Sequence, residues 1–208
     1  MTPDNISAML ERIELEAQRL DALVGELLAL ARLEANATES PARVAELSGL
    51  LDEVVADARF EAQAIGKDVR FVEAAGGPAQ TQAVAVAAHA DWLQRAFDNV
   101  IRNAIRHSPP GSSVEVAVAP ARANRVAVTI ADSGPGVAAD ELETIFEPFQ
   151  RGRNAAALGS GYGLGLAIAR RAVAAHGGTI VASNRAGGGL LITIELPIAA
   201  AGDGARPA

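Results

Sequence analysis

The 208-residue sequence predicts an α+β fold, a two-layer sandwich of helices on a mostly antiparallel sheet, preceded by one long helix. Three observations predict it. Apolar residues recur at steps of three and four in four segments. Short alternating segments, punctuated by glycine, asparagine and proline, fall between and after the later ones. The clearest strands come as neighbouring hairpins, rather than singly between helices as a parallel sheet requires.

Composition bounds the reading. Half of the residues are apolar and 3% are aromatic, enough for one aliphatic core with a smaller appended element. No apolar run reaches the roughly 18 residues of a membrane span, and the start MTPDNISAMLERIELE is too acidic for a signal peptide, so the chain reads as soluble and cytosolic. The absence of cysteine removes disulfides and thiolate metal sites and agrees with a reducing compartment. A formal net charge of -7 argues against nucleic acid as a partner, because phosphate neutralisation needs clustered Lys and Arg.

The first helix is expected over Asn5–Asn36, where Ile6, Leu10, Ile13, Ala17, Leu20, Val24, Leu27 and Ala31 fall on one face. About 30 residues make a helix roughly 45 Å long, more than a domain of this size can cover. A dimerising or bundle helix is therefore favoured over a core helix of the same domain. The run ANATESPAR breaks the pattern and reads as a linker, giving units 1–40 and 41–199 and a disordered tail 200–208. A second helix is expected over Leu47–Gly66, with the glycine as its stop. Strands are expected in KDVRFVEA and TQAVAVAAH, and a third helix over Asp91–His107. Val114, Val116 and Val118 alternate before a polar turn and Val126, Val128 and Ile130 after it, an antiparallel pair. A fourth helix follows the glycines of SGYGLGLA, and GGTIVASN with GGGLLITIELP supplies a last hairpin.

Four constellations point to chemistry. Asn99 and Asn103 stand four apart and project from one helix face, with Arg106 a further step along. An amide oxygen suits Mg²⁺, which takes the rest of its shell from water and substrate phosphates. Asp132 ends a strand beside Gly134 and Gly136, where a carboxylate could accept from an exocyclic amine and bare backbone leaves room for a flat ring. The stretch Phe146–Ser160 is long for a connection and reads as a lid or a disordered segment, with Phe146 and Phe149 as anchors or core residues and Arg151 and Arg153 within reach of phosphates. Gly159, Gly161, Gly163 and Gly165 then open a helix, and free N–H groups at a helix start form an anion site. A flexible hinge is the competing reading of those glycines.

The order Asn-x-x-x-Asn, Asp-x-Gly-x-Gly, Phe-x-x-Phe, Gly-x-Gly-x-Gly across about 65 residues resembles the sensor histidine kinases of two-component systems. RAFDNVIRNAIRHSP is similar to their N box, DSGPG to the G1 box, IFEPFQR to the F box and GYGLGLA to the G2 box. IELEAQRLDALVGELLALARLE resembles the second helix of their dimerisation hairpin, and the N box resembles the envelope-stress, membrane-anchored subgroup. The resemblance implies the Bergerat (GHKL) ATP-binding fold, with ATP and Mg²⁺ as cofactors. It implies Asn103 on Mg²⁺, Asn99 and Arg106 near the phosphates, His107 by the nucleoside and Asp132 on the adenine amine. Gly134, Gly136, Arg151, Gly159, Gly161, Gly163, Leu164 and Gly165 complete the implied nucleotide site. The implied partners are a phosphoacceptor hairpin, a response regulator and a second copy through the first helix; the implied parent is anchored in the bacterial inner membrane.

One element of the family pattern is missing. The three histidines, His89, His107 and His176, stand in AHAD, RHSP and AHGG, none of them the acidic, Arg-containing context of a phosphoacceptor. The expected function is therefore the donor half of a histidine kinase. A GHKL-type ATPase or protein-serine kinase and a non-catalytic nucleotide-binding or dimerising module are the alternatives. Asn99 favours the kinase over the hydrolytic relatives, which place a glutamate base there, because an amide cannot take the proton.

Overall fold

The computed structural model describes residues 3–35, 44–72, 84–150 and 162–199. The linker after Ala35, the lid stretch 151–161 and the tail 200–208 lie outside the described residues.

The first helix, α1 (Pro3–Ala35), has the expected extent. Its apolar stripe divides in two. Leu30 and Leu33 are buried and Leu23 packs on the same core, where the end of the helix meets a later helix of the domain. Met9, Leu10, Ile13, Leu20 and Val24 are exposed. A 33-residue helix is about 50 Å long, so only its last turns reach the domain. The core-helix reading thus holds for the last third, and the rest of the stripe remains uncovered among the described residues.

A short strand β1 (Val44–Glu46) leads into α2 (Leu47–Gln63), which buries Leu47, Leu50, Leu51, Val54, Val55, Ala58 and Ala62. The chain turns at Gly66, at φ +69, into β2 (Asp68–Phe71). Val69 is buried, whereas Phe71, on the same side of the expected alternation, is 41% exposed at the end of this edge strand. Of TQAVAVAAH, Ala85–Ala87 forms β3, which pairs antiparallel with β1 in a separate two-stranded sheet; Thr81, Gln82 and Ala83 lie outside the described residues. Helix α3 (Ala90–His107) follows.

β4 (Ser113–Ala121) and β5 (Arg125–Ala131) form the predicted hairpin, in a register that sets Val116 against Ile130 and Val118 against Val128. Its turn holds Ala123 and Asn124 both at φ 56, the left-handed geometry that matches the twist of the flanking strands. Helix α4 (Gly165–Ala175) then precedes β6 (Thr179–Asn184) and β7 (Leu190–Pro197). The five-stranded sheet has the order β2-β4-β5-β7-β6, with β2 parallel to β4 and the other pairs antiparallel.

Burial alternates along β5 and β7, so one sheet face is closed by α2, α3 and α4 over Leu51, Phe97, Ile101, Val128, Ile168 and Ile194. Arg102 fastens two of the helices together, with Nε on Asp98 at 2.8 Å and Nη2 on Glu61 of α2 at 2.8 Å. Asp98 is thereby tied toward α2 through Arg102.

His176 ties the end of α4 to the start of α3. Its Nδ1 lies 2.6 Å from the Ala172 carbonyl, so that nitrogen carries the proton, and Nε2 accepts from the His89 backbone N–H at 3.0 Å. The ring must be neutral to do both. Burial pushes its pKa down from the usual 6.5, with the Ala172 carbonyl opposing and His89 adding to the effect. A depressed folded pKa contributes stability that is present above the unfolded value and lost as pH falls through the folded one. Denaturant titration should therefore show a lower midpoint at about pH 5 than at about pH 7. In His176→Asn the difference should shrink, and an undiminished difference would place the acid sensitivity elsewhere.

Candidate functional site

Helix α3 buries Leu93, Ala96, Phe97, Val100, Ile101, Ala104 and Ile105, and the 3.6-residue period turns Asn99, Asn103, Arg106 and His107 away from that stripe. Asn99, Asn103 and His107 are half-buried and Arg106 is exposed, so this side of α3 is not closed over by the core. Distant segments pack against its two ends.

At the far end of α3, the turn after β5 packs on the helix terminus. A Cβ at Gly134 would lie 2.7 Å from the His107 carbonyl oxygen, so only glycine permits the approach. Asp132 is buried, with 4% of its surface exposed. Its Oδ1 accepts from the Gly134 N–H at 2.8 Å and the Leu190 N–H at 3.0 Å, while Oδ2 has no hydrogen-bond partner among the described residues. One oxygen is thus fixed and the other is left to accept. Burial pushes the His107 pKa down; Asp132 pulls it back up, while Arg106 and Lys67 press it lower. Ser133 N–H donates to Ser108 Oγ at 3.4 Å, and Lys67 Nζ donates to the Ile105 carbonyl at 2.7 Å, a cation at the negative end of α3. Lys67 gave no signal in the sequence, for it lies between a helix stop and a strand, remote from every motif.

At the Asn99 end, α4 begins against the amide. A Cβ at Gly165 would stand 3.1 Å from Asn99 Oδ1. Asn99 Nδ2 is buried without a hydrogen-bond partner among the described residues, an orphan donor on the same amide whose oxygen faces Gly165. Such a donor is costly unless something accepts from it. Leu164 is fully buried and anchors the helix start, its carbonyl accepting from Ile168 N–H at 2.9 Å. Gly163 has φ +72 and its missing Cβ would lie 2.5 Å from the Gln150 carbonyl oxygen, while its own carbonyl accepts from the Phe149 N–H at 3.0 Å. That glycine is required by the close approach of the Gln150 carbonyl and by its positive φ. Phe146 is a core residue, whereas Phe149 is 61% exposed at φ 64, so the two expected anchors separate.

The structure therefore sets Gly134, two residues after Asp132, against His107 and sets Gly165, after Gly163 and Leu164, against Asn99, with Asn103 and Arg106 on the stretch of α3 between. Gly136 belongs to the same turn at φ +72. Arg151, Arg153, Gly159 and Gly161 lie outside the described residues.

The end of α1 also reaches this region. Arg95 Nη2 donates to the Gly25 carbonyl at 3.4 Å, and burial pushes the Glu26 carboxyl above its usual 4.5 although Arg95 and Arg106 oppose it. A raised folded pKa contributes to docking below the unfolded value and ceases to do so as pH rises through the folded one. Ionised Glu26 therefore works against α1 docking at neutral pH, and Glu26→Gln should slow hydrogen exchange of the amides from Leu23 to Leu33. Faster exchange in that variant would show instead that attraction to the two arginines holds the helix.

Residues 88–200 match the family described as histidine kinase-, DNA gyrase B- and HSP90-like ATPases. The sensor protein PfeS of Pseudomonas aeruginosa is 46% identical over 115 residues, 55% of this chain and 25% of that protein. The sensor histidine kinase CpxA of Escherichia coli, an envelope-stress kinase, is 37% identical over 195 residues, 92% of this chain and 40% of its own. The crystal structure of full-length ShkA in complex with AMPPNP superposes with a TM-score of 0.75 at 28% identity, over 97% of this chain and 40% of that one. The chain thus spans less than half the length of these proteins. No helix among the described residues is long and apolar enough to cross a membrane. A helical layer over a five-stranded sheet, two half-buried asparagines on one helix, a buried aspartate, a glycine-opened helix, and these matches agree: the chain belongs to the histidine kinase-, DNA gyrase B- and HSP90-like ATPase family, as the ATP-binding catalytic domain of a sensor histidine kinase.

Proposed function

We propose that this chain holds ATP with Mg²⁺ in the cleft between α3, the Asp132 turn and the start of α4, and donates the γ-phosphoryl group to a histidine on a hairpin outside this sequence. The observation that carries the proposal is the presence of two unfilled bonding groups, one beside each end of the Asn99–His107 stretch of α3. Asp132 Oδ2 is an open acceptor at the His107 end, and Asn99 Nδ2 is an orphan donor at the Gly165 end. Eight residues of helix separate His107 from Asn99, about 12 Å, comparable with the reach from a purine to its phosphate chain.

Each residue has a role that its chemistry allows. Asp132 accepts from the adenine amine, His107 lies alongside the nucleoside in its neutral form, and Gly134 and Gly136 keep the backbone clear. Asn99, Arg106 and the opening amides of α4 from Gly165 meet the phosphates; Gly163 and Leu164 hold that helix start in place, and Arg151, Gly159 and Gly161 complete the phosphate end. Among the described residues no group of three or more His, Asp or Glu side chains is placed to hold a metal ion. The half-buried Asn103 amide oxygen is a fitting ligand for an ion that takes its other ligands from phosphate and water. When bound, Mg²⁺ would neutralise and orient the phosphate oxygens. Asn99 offers no base, so the site favours transfer over hydrolysis.

The acceptor hairpin, a response regulator, a second copy paired through α1, and a membrane-anchored parent with this domain in the cytoplasm complete the proposal. The exposed residues Met9, Leu10, Ile13 and Leu20 support the pairing. The division into a hairpin helix 1–40, a catalytic domain 41–199 and a tail 200–208 is part of the same proposal. Isothermal titration of the folded chain with ADP should give heat that depends on Mg²⁺. No heat with ADP or ATP, with or without the metal, would refute the site.

A further inference from the structure

We propose that Asn184 and Arg185, adjacent at the end of β6, clamp both ends of the Asp132–Val137 turn and act as positioning residues for adenine recognition; this rests on the reading of Asp132 as the adenine acceptor. Neither residue belongs to any of the four motifs.

Asn184 holds the far end of the turn. Its Oδ1 accepts from the Val137 N–H at 2.9 Å and its Nδ2 donates to the Val137 carbonyl at 2.7 Å, so one amide satisfies both polar groups of one residue. Gly136 has φ +72, and a Cβ there would also stand 2.6 Å from Asn184 Oδ1 and push that amide off Val137.

Arg185 holds the near end. Its Nη1 donates to the Asp132 carbonyl at 2.9 Å and Nη2 to Glu115 Oε2 at 3.0 Å. Glu115 Oε1 in turn accepts from Arg70 Nη2 at 3.2 Å, so the guanidinium is itself held in place from β4 and β2. The Arg185 N–H donates to the Gly189 carbonyl at 2.9 Å, closing a turn whose Gly187, Gly188 and Gly189 all have positive φ. That turn delivers Leu190, whose N–H binds Asp132 Oδ1 and whose carbonyl accepts from the Asp132 N–H at 2.9 Å.

Every backbone polar group of Asp132, and one carboxylate oxygen, is thereby fixed by the β6–β7 connection or by its own turn. A carboxylate that must meet a rigid purine edge gains selectivity from such fixing, because displacement by a fraction of an ångström loses the bond. The side-chain bonds of the arginine go to protein groups, the Asp132 carbonyl and Glu115.

The test uses the full chain and its Arg185→Met, Arg185→Lys and Asn184→Ala variants. ADP with Mg²⁺ is titrated by calorimetry, and hydrogen exchange is followed at the Gly134, Leu190 and Val128 amides. Arg185→Met and Asn184→Ala should each weaken ADP about tenfold, and Arg185→Lys should recover most of the loss for its site. Exchange at Gly134 or Leu190 should quicken while Val128, in the middle of β5, stays protected. ADP affinity within about twofold of wild type in both Arg185→Met and Asn184→Ala would overturn the clamp alone. Faster exchange at Val128 in step with the loss of affinity would also overturn it, by reducing the pair to a general contribution to folding. A wild-type chain that binds no ADP would overturn the adenine site and the clamp together.

Discussion

Asp132→Ala is expected to weaken adenine nucleotides roughly 10- to 150-fold, the equivalent of about 1.5–3 kcal/mol for a buried charge-assisted hydrogen bond. It also strands the Gly134 and Leu190 amides that Oδ1 accepts from, at a cost of about 1–3 kcal/mol for each if water does not reach it. The two effects separate in Asp132→Asn. Its amide oxygen can serve both backbone donors and restore stability, while its NH₂ faces the adenine amine donor to donor and keeps affinity low. Calorimetry with ADP, read beside denaturant midpoints, checks both. Unchanged affinity in Asp132→Ala would reduce the residue to a turn former.

Asn103→Ala should abolish transfer of phosphate to an added acceptor hairpin, a loss of about 100-fold or more, in the range for removing one group that stabilises transition-state charge. Its half-buried position on the side of α3 that the core leaves open means that folding should change by about 0.5 kcal/mol or less. The affinity for ADP without metal should survive, and the added affinity given by Mg²⁺ should disappear. Retained Mg²⁺ dependence would move the metal ligand elsewhere.

The parts of this fold that periodicity reveals are those in which local pattern and tertiary demand agree. The β4–β5 hairpin is one, since strict alternation of valine and isoleucine across a polar turn has a single register that buries them all. α3 is another, because its apolar stripe and its asparagine face are separable by period alone. β1 was missed: three residues paired with three of β3 carry too little pattern to stand out. The stripe of α1 was legible as a stripe, but its division was not, since only the docked structure shows that Leu30 and Leu33 reach the core while Leu10 and Ile13 do not. Of the proposed nucleotide site, Asn99, Asn103, Asp132 and Gly165 are the residues that the order of the motifs names. Lys67, Asn184 and Arg185 were not legible, because each reaches the site through a contact between segments far apart in sequence. The glycine triplet at 187–189, all at positive φ, was the available signal for the last two. At Gly163, read from the sequence as an anion-binding or hinge glycine, the structure adds a packing constraint that the sequence did not show, the Gln150 carbonyl.

The most direct measurement of the central claim is incubation of the folded chain with γ-labelled ATP and Mg²⁺, alone and with an added kinase hairpin bearing an acceptor histidine. The chain should remain unlabelled, because His176 is locked between the Ala172 carbonyl and the His89 amide, His107 is half-buried at the end of α3, and the ring of His89 stacks on Trp92 with centroids 4.5 Å apart. The hairpin should acquire acid-labile phosphate. Acid-labile phosphate on the 208-residue chain by itself, or release of inorganic phosphate with none on the hairpin, would contradict the account.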